Sequence, residues 1–161
     1  AAIVFSLLAV SCKTEKISSW EQFKSRYADD GFTLKINGGL FKLGSKIAAA
    51  AVDDEDSRQV LKSLSGLHGV EVHAIPIRAA GIPPEAISHL GRMLQRDNYE
   101  SLVDLRNGGD RVYLWAKGKG DEYKDPLILI NSSNELLLVE MKGKITTDDI
   151  GSLAKVGQGL K

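Results

Sequence analysis

The sequence predicts an α+β fold: a two-layer domain with a mixed sheet of about six strands, ending in a four-stranded antiparallel meander, and helices packed mainly on one face. Three observations predict it. Four extended segments run in succession, Tyr99–Arg106, Asp110–Lys117, Pro126–Asn131 and Glu135–Ile145, and the outer two connections are Asn107-Gly108-Gly109 and Ser132-Ser133-Asn134. Gly and Asn accept the positive φ that tight hairpins need. Upstream, helix-period segments are mixed with two alternating stretches, while strands run together late, which argues for a two-layer α+β domain. Finally, 161 residues with 43% hydrophobic and 26% charged side chains are ordinary for one folded domain.

Each element has its own local signal. Ser18 or Ser19 caps a first helix on which Trp20, Phe23 and Tyr27 recur at three and four, and Asp29-Asp30-Gly31 stops it. Phe32–Ile36 alternates as a half-buried strand, and Asn37-Gly38-Gly39 turns the chain. A helix over Leu40–Val52 carries Leu40, Leu43, Ile47 and Ala51 on one face. A third helix runs to about Ser65 behind Asp53-Asp54-Glu55-Asp56. Those four acids suit a cap and a first turn, where the helix dipole favours negative charge. They lack the alternate spacing and the bending glycine of a calcium loop. Gly66–Gly69 ends that helix, and Val70–Ala74 alternates as a second strand. After a loop over Ile75–Ile82, Pro83-Pro84-Glu85 opens a fourth helix with a stripe of Ile87, Leu90 and Leu94. In the meander, the connection Gly118–Asp125 is longer and charged. A last helix starts at Thr146 or Thr147, with Ile150, Leu153 and Ala154 inward, and ends near Val156.

The beginning of the sequence differs from the rest. Ala1–Val10 has no charge, is too short to span a bilayer and fits the apolar core of a secretory signal peptide, here lacking its basic start. It leads to Ser11-Cys12, and Cys12 is the only cysteine. A small residue and then Cys after an apolar run resembles the lipobox of bacterial lipoproteins, with Ala9 where Leu is usual; Ala9-Val10-Ser11 also fits ordinary cleavage. The expected organisation is a signal peptide over 1–11, a lipidated Cys12 with a tether over 12–17, one domain over 18–157 and a tail over 158–161. Lys13 after the cysteine favours the outer membrane by the sorting rule of enteric bacteria; the alternative is a soluble periplasmic protein.

Several function classes lose support from the sequence. Lys plus Arg and Asp plus Glu are equal at 21 each, so the basic footprint of a nucleic-acid binder is missing. One cysteine allows neither an intramolecular disulfide nor a Cys-rich metal site. Gly38-Gly39 with Gly44-Ser45-Lys46 has the wrong order for a phosphate loop, Gly118-Lys119-Gly120 lacks the third glycine of a dinucleotide turn, and no Gly-x-Ser-x-Gly elbow occurs. His68, His73 and His89 have no ligand spacing among them, so no metal and no cofactor is expected.

One strand suggests a binding surface. In Arg111–Lys117, Val112, Leu114 and Ala116 suit a core, while Arg111, Tyr113, Trp115 and Lys117 share the other face. That second face extends to Thr33, Lys35, Glu71 and His73 on the upstream strands. Large rings among charges are typical of binding patches. Either this face is open, or a helix or loop covers Tyr113 and Trp115. Leu127–Ile130 and Leu136–Val139 are apolar on both faces, which favours cover over the sheet centre.

The order of these features resembles a known family. Phe32–Ile36 with its Gly-rich turn, Val52–Asp56, Leu64–Val72, Tyr99–Leu102, Gly109–Val112 and Met141–Ile145 are similar to the bacterial domain of unknown function 4252 family, over roughly residues 18–157. The resemblance implies a small exported protein, commonly a lipoprotein, in some cases encoded beside an extracytoplasmic-function sigma factor. It implies no catalytic residue. The expected role is a non-enzymatic cell-envelope domain, anchored to the membrane through Cys12, binding an envelope protein through the Tyr113, Trp115, Arg111 and His73 face or the Gly118–Asp125 loop. The alternatives are a small periplasmic enzyme or ligand-binding protein built from scattered acids and His73, and a regulatory component of an envelope-stress system.

Overall fold

The computed structural model of the protein describes residues 17–38 and 65–152. The expected signal segment, Cys12 and the expected tether up to residue 16, the helices expected over 40–52 and from 53 to about 65, and the expected last helix beyond residue 152 lie outside the described residues. The elements are α1 (Ser19–Tyr27), a 3-10 turn (Ala28–Asp30), β1 (Phe32–Asn37), β2 (Leu67–Pro76), α2 (Ala86–Arg96), β3 (Tyr99–Asn107), β4 (Asp110–Lys119), β5 (Glu122–Asn131) and β6 (Glu135–Thr146). Residues 147–152 begin a further helix.

The caps form as the residue types require. The Ser18 hydroxyl accepts from the Glu21 N–H at 3.2 Å, closing the open first turn of α1. Asp149 accepts from the Thr146 N–H at 2.8 Å, while its own N–H donates to the Thr146 hydroxyl at 3.2 Å, a reciprocal box at the helix start. The expected Pro83–Glu85 opening is instead turn; α2 begins at Ala86, and no side chain caps it.

One six-stranded sheet, in the order β1-β2-β6-β5-β4-β3, carries the fold. All five pairings are antiparallel, so the sheet is not mixed. The reason is topological: β3 to β6 are successive hairpins, and β2 joins the meander by pairing antiparallel with its last strand. β2 also reaches back to Leu67, through a segment expected as the end of the third helix. A register shift between Leu67 and Gly69 lets it follow β6 past Gly143. Gly143 has φ +125°, and a Cβ there would run into the Gly66 carbonyl.

The Gly118–Asp125 connection is a correction of substance. β4 runs to Lys119 and β5 starts at Glu122, so the expected charged loop is strand closed by a tight turn. Gly118 and Gly120 supply positive φ for that turn, and Asp125, also at positive φ, marks the irregularity before Leu127. Pro126, which has no N–H for the ladder, sits inside it.

Registers place every strand residue on one of two faces. The helix-covered face has two rows, Lys35–Glu71–Glu140–Leu127–Trp115–Ser101 and Thr33–His73–Leu138–Leu129–Tyr113–Asp104. Trp20 and Phe23 of α1 and Ile87, Leu90 and Leu94 of α2 pack on the middle of this face against Ile75, Trp115, Leu127, Leu129, Leu136 and Leu138. The opposite face has Leu34–Val72–Val139–Ile128–Leu114–Val103 and Phe32–Ala74–Leu137–Ile130–Val112–Leu105. Both of those rows are apolar across all six strands.

Candidate functional site

The helix-covered face is apolar at its centre and polar at both edges, so its chemistry divides into two places. The first is a groove of about 570 Å³ between α2 and the β3–β4 hairpin, flanked by the β5–β6 turn. Alternate residues of one strand share a face, so Arg111, Tyr113 and Trp115 stand in line along β4. The Arg111 guanidinium donates twice to the cross-strand Asp104 carboxylate, at 2.9 and 2.8 Å. The same group lies 4.9 Å from the Tyr113 ring centre. Tyr113 in turn stacks on Trp115 with ring centres 5.2 Å apart and planes 5° from parallel. The hydrogen bonds from Arg111 hold the Asp104 carboxyl below its usual range. Burial pushes the Tyr113 phenol up, with the Arg111 charge opposing it.

Trp115 is the inner end of this line at 3% exposure. α2 lies over the ring: a Cβ on Gly91 would meet the indole at 3.8 Å, an ordinary van der Waals contact. Tyr113 is half-buried and Arg111 is half-exposed. Of the two readings left open for this face, cover holds for Trp115, while Tyr113 and Arg111 reach the groove. Ser88, Gln95, Ser101 and Asn131 add neutral donors and acceptors to its wall.

The second place is a broad, open depression of about 520 Å³ at the β1–β2–β6 end, beside α1. Here Glu71 and Glu140 are direct cross-strand partners, an arrangement that repels unless a cation intervenes. Lys24 of α1 is that cation. Its ammonium lies 2.7 Å from Glu140, 2.7 Å from Glu21 and 3.4 Å from Glu71. Trp20 Nε1 donates to Glu140 at 3.2 Å, Lys142 pairs with Glu140 at 2.5 Å, and Lys35 pairs with Glu71 at 2.9 Å. Burial opposes charge at Lys24, but its hydrogen bonds and the nearby carboxylates outweigh it and raise its pKa well above the lysine value. Burial likewise pushes Glu71 up, yet the bonds from Lys35 and His73 and the Lys24 charge prevail and hold it at about 2. Glu140 is lowered in the same balance, with Lys142 and Lys24 outweighing burial.

His73 belongs to this second place, with β6 and β5 between it and Tyr113 of the groove. Its Nε2 is 2.6 Å from Glu71 Oε1, and its Nδ1 is 2.8 Å from the Thr33 hydroxyl. In the neutral tautomer with Nε2–H facing ionised Glu71, Nδ1 accepts from the Thr33 hydroxyl. This hydroxyl–imidazole–carboxylate line has the form of a base-activated nucleophile. Its surroundings do not extend that chemistry: the depression is nearer to a flat surface than to an enclosed site, and Lys24 is shared among three carboxylates. Among the described residues no buried side-chain nitrogen or oxygen lacks a partner.

Arg111, Tyr113, Trp115 and His73 thus share one sheet face, as their alternation requires, but the structure brings only the first three together. Asp104, Lys24 and Glu140 were missed as site residues. His68 and His89 are exposed and apart. Among the described residues no group of three or more His, Cys, Asp or Glu is placed to hold a metal ion, and no helix is long and apolar enough to cross a membrane.

The family model described as Domain of unknown function (DUF4252) matches residues 25–153. The chain belongs to that family. Searches of curated proteins and of solved structures find no match.

Proposed function

We propose that this family member is a non-enzymatic binding domain of the bacterial cell envelope, tethered through a lipidated Cys12, and that the groove at Arg111 and Tyr113 receives an envelope protein. The observation that carries the binding role is the prebuilt line Asp104–Arg111–Tyr113–Trp115. Its polar end is fixed by two charge-assisted hydrogen bonds and its apolar end is locked under α2. A rigid ring and a guanidinium held in one geometry lose little entropy when a partner docks, which is why such groups dominate binding energetics. The apolar run before Cys12 supports the tether and the compartment.

An Arg111→Ala/Tyr113→Ser variant, kept otherwise intact, is expected to lose its partner in a pull-down from envelope extracts, with at least tenfold lower recovery. Full recovery of the same partner with the folded variant would remove the groove from the account. The His73 line favours a second reading, a small hydrolase using Thr33. A Thr33→Val change that abolished a measured hydrolysis of activated esters, with an unchanged fold, would favour that reading over the first.

A further inference from the structure

The cations on the groove wall outnumber its anions. Arg92 comes from α2, and Arg106 and Arg111 come from the β3–β4 hairpin; the acids are Asp104 and Asp110. Arg106 and Arg111 are direct cross-strand partners, while Asp110 pairs in register with Asn107, beyond them at the turn. Like charges directly opposite repel. The other end of the sheet poses the same problem with the sign reversed, and there the chain supplies the counter-charge itself: Lys24 pairs with both Glu71 and Glu140. At the groove the balance is incomplete. Both Asp104 carboxylate oxygens accept from Arg111. Among the described residues, no ion pair or side-chain hydrogen bond holds Arg92 or Arg106. A guanidinium has five N–H donors, and Asp104 takes two of those on Arg111, so three remain.

The rings narrow the chemistry further. Trp115 stacks on Tyr113, and the Arg111 guanidinium lies over the same ring. These two residues flank Tyr113 along β4, so the ring is closed in on both sides. A ligand that binds by stacking, such as a sugar or a nucleobase, finds no ring face to use. The groove offers N–H donors, and Asp104 shows what they grip: its carboxylate meets the Arg111 fork at 2.9 and 2.8 Å. With Asp104 and Asp110 on the wall, a singly charged carboxylate is repelled less than a doubly charged phosphate. The arginines also line a cleft between a helix and a hairpin, which a side chain can enter and a bilayer surface cannot.

We propose that the groove, on the reading that it is the partner site, receives an acidic peptide segment, with one Asp or Glu carboxylate bound between Arg92, Arg106 and Arg111. Arg92 and Arg106 then set the specificity, because theirs are the charges the groove leaves without a partner.

The test is selection of random peptides displayed on phage against the immobilised full chain, followed by titration of the selected peptides in solution. Peptides whose binding is lost in Arg111→Ala/Tyr113→Ser are expected to be enriched in Asp and Glu. They are expected to bind Arg92→Gln/Arg106→Gln at least about tenfold more weakly, through the loss of charge-assisted hydrogen bonds. Arg26→Gln, which removes an exposed charge from α1, should bind them as the unaltered chain does. Arg92 and Arg106 are exposed, so their variant should keep the circular dichroism of the unaltered chain. Groove-dependent peptides without acids, bound equally by Arg92→Gln/Arg106→Gln, would overturn the proposal and leave the groove as the partner site. Peptides indifferent to Arg111→Ala/Tyr113→Ser as well would remove the groove itself, and the proposal with it. Binding to phosphatidylglycerol vesicles that is lost in Arg92→Gln/Arg106→Gln, with no acidic peptide selected, would assign the arginines to a membrane and overturn it too.

Discussion

Glu140→Ala is expected to destabilise the protein by about 3 kcal/mol, the cost of removing the most buried carboxylate that Lys24 faces together with the acceptor of the Trp20 N–H. Glu140 and Lys24 are each 8% exposed, and the carboxylate also accepts the Trp20 N–H, so the variant strands the indole donor and leaves Lys24 with only Glu21 and Glu71. Lys24→Met/Glu140→Met is expected to be less destabilised than Glu140→Ala, since it removes both charges and keeps the volume. Urea unfolding measures both. The same cluster sets the acid edge of stability. Glu71 is lowered from 4.5 to about 2 in the folded protein, and Glu140 is lowered as well. The unfolded chain therefore takes up protons first as pH falls. Their contribution is complete above about 4.5 and is lost as pH drops through about 2. Without Glu140 the stability curve should be flatter across that window.

The second large effect concerns Trp115. Trp115→Ala is expected to cost about 3–5 kcal/mol, because the indole is buried between β4, α2 and the neighbouring strands. Tyr113→Ser, at a half-buried position, should cost about 1–2 kcal/mol. Thermal unfolding of the two variants separates them. This division matters for function. A lost interaction in a Trp115 variant would report a damaged core, whereas Arg111 and Tyr113 report the groove.

The sequence made the strands of the meander legible because turn residues and alternation agree there. Phe32–Ile36 and the α1 stripe of Trp20, Phe23 and Tyr27 were legible for the same reason. The charged run Lys119–Lys124 misled, because hydrophilicity reads as loop when the strand ends there carry charged side chains that reach solvent, while Tyr123 among them is buried. Gly66–Gly69 misled because glycine signals a turn, while here it serves a bulge and close backbone approach to β6. The groove was half legible. Alternation put Arg111, Tyr113 and Trp115 together, but only the tertiary structure shows that α2 seals Trp115 and that Asp104 clamps Arg111. The buried charges left faint traces: Lys24 lies one turn after Trp20 inside an aromatic stripe, and Glu140 interrupts the apolar run Leu136–Met141. A charge inside an apolar pattern needs a partner, but nothing in linear sequence pairs two such residues 116 apart.

The functional account rests on export and tethering, because these decide which molecules the groove can meet. Mass spectrometry of the N-terminal peptide, on protein taken from its native host, measures that directly. The account predicts a mature chain beginning at Cys12 with acyl groups on it. Protein that retains residues 1–11, with an unmodified Cys12, would contradict it.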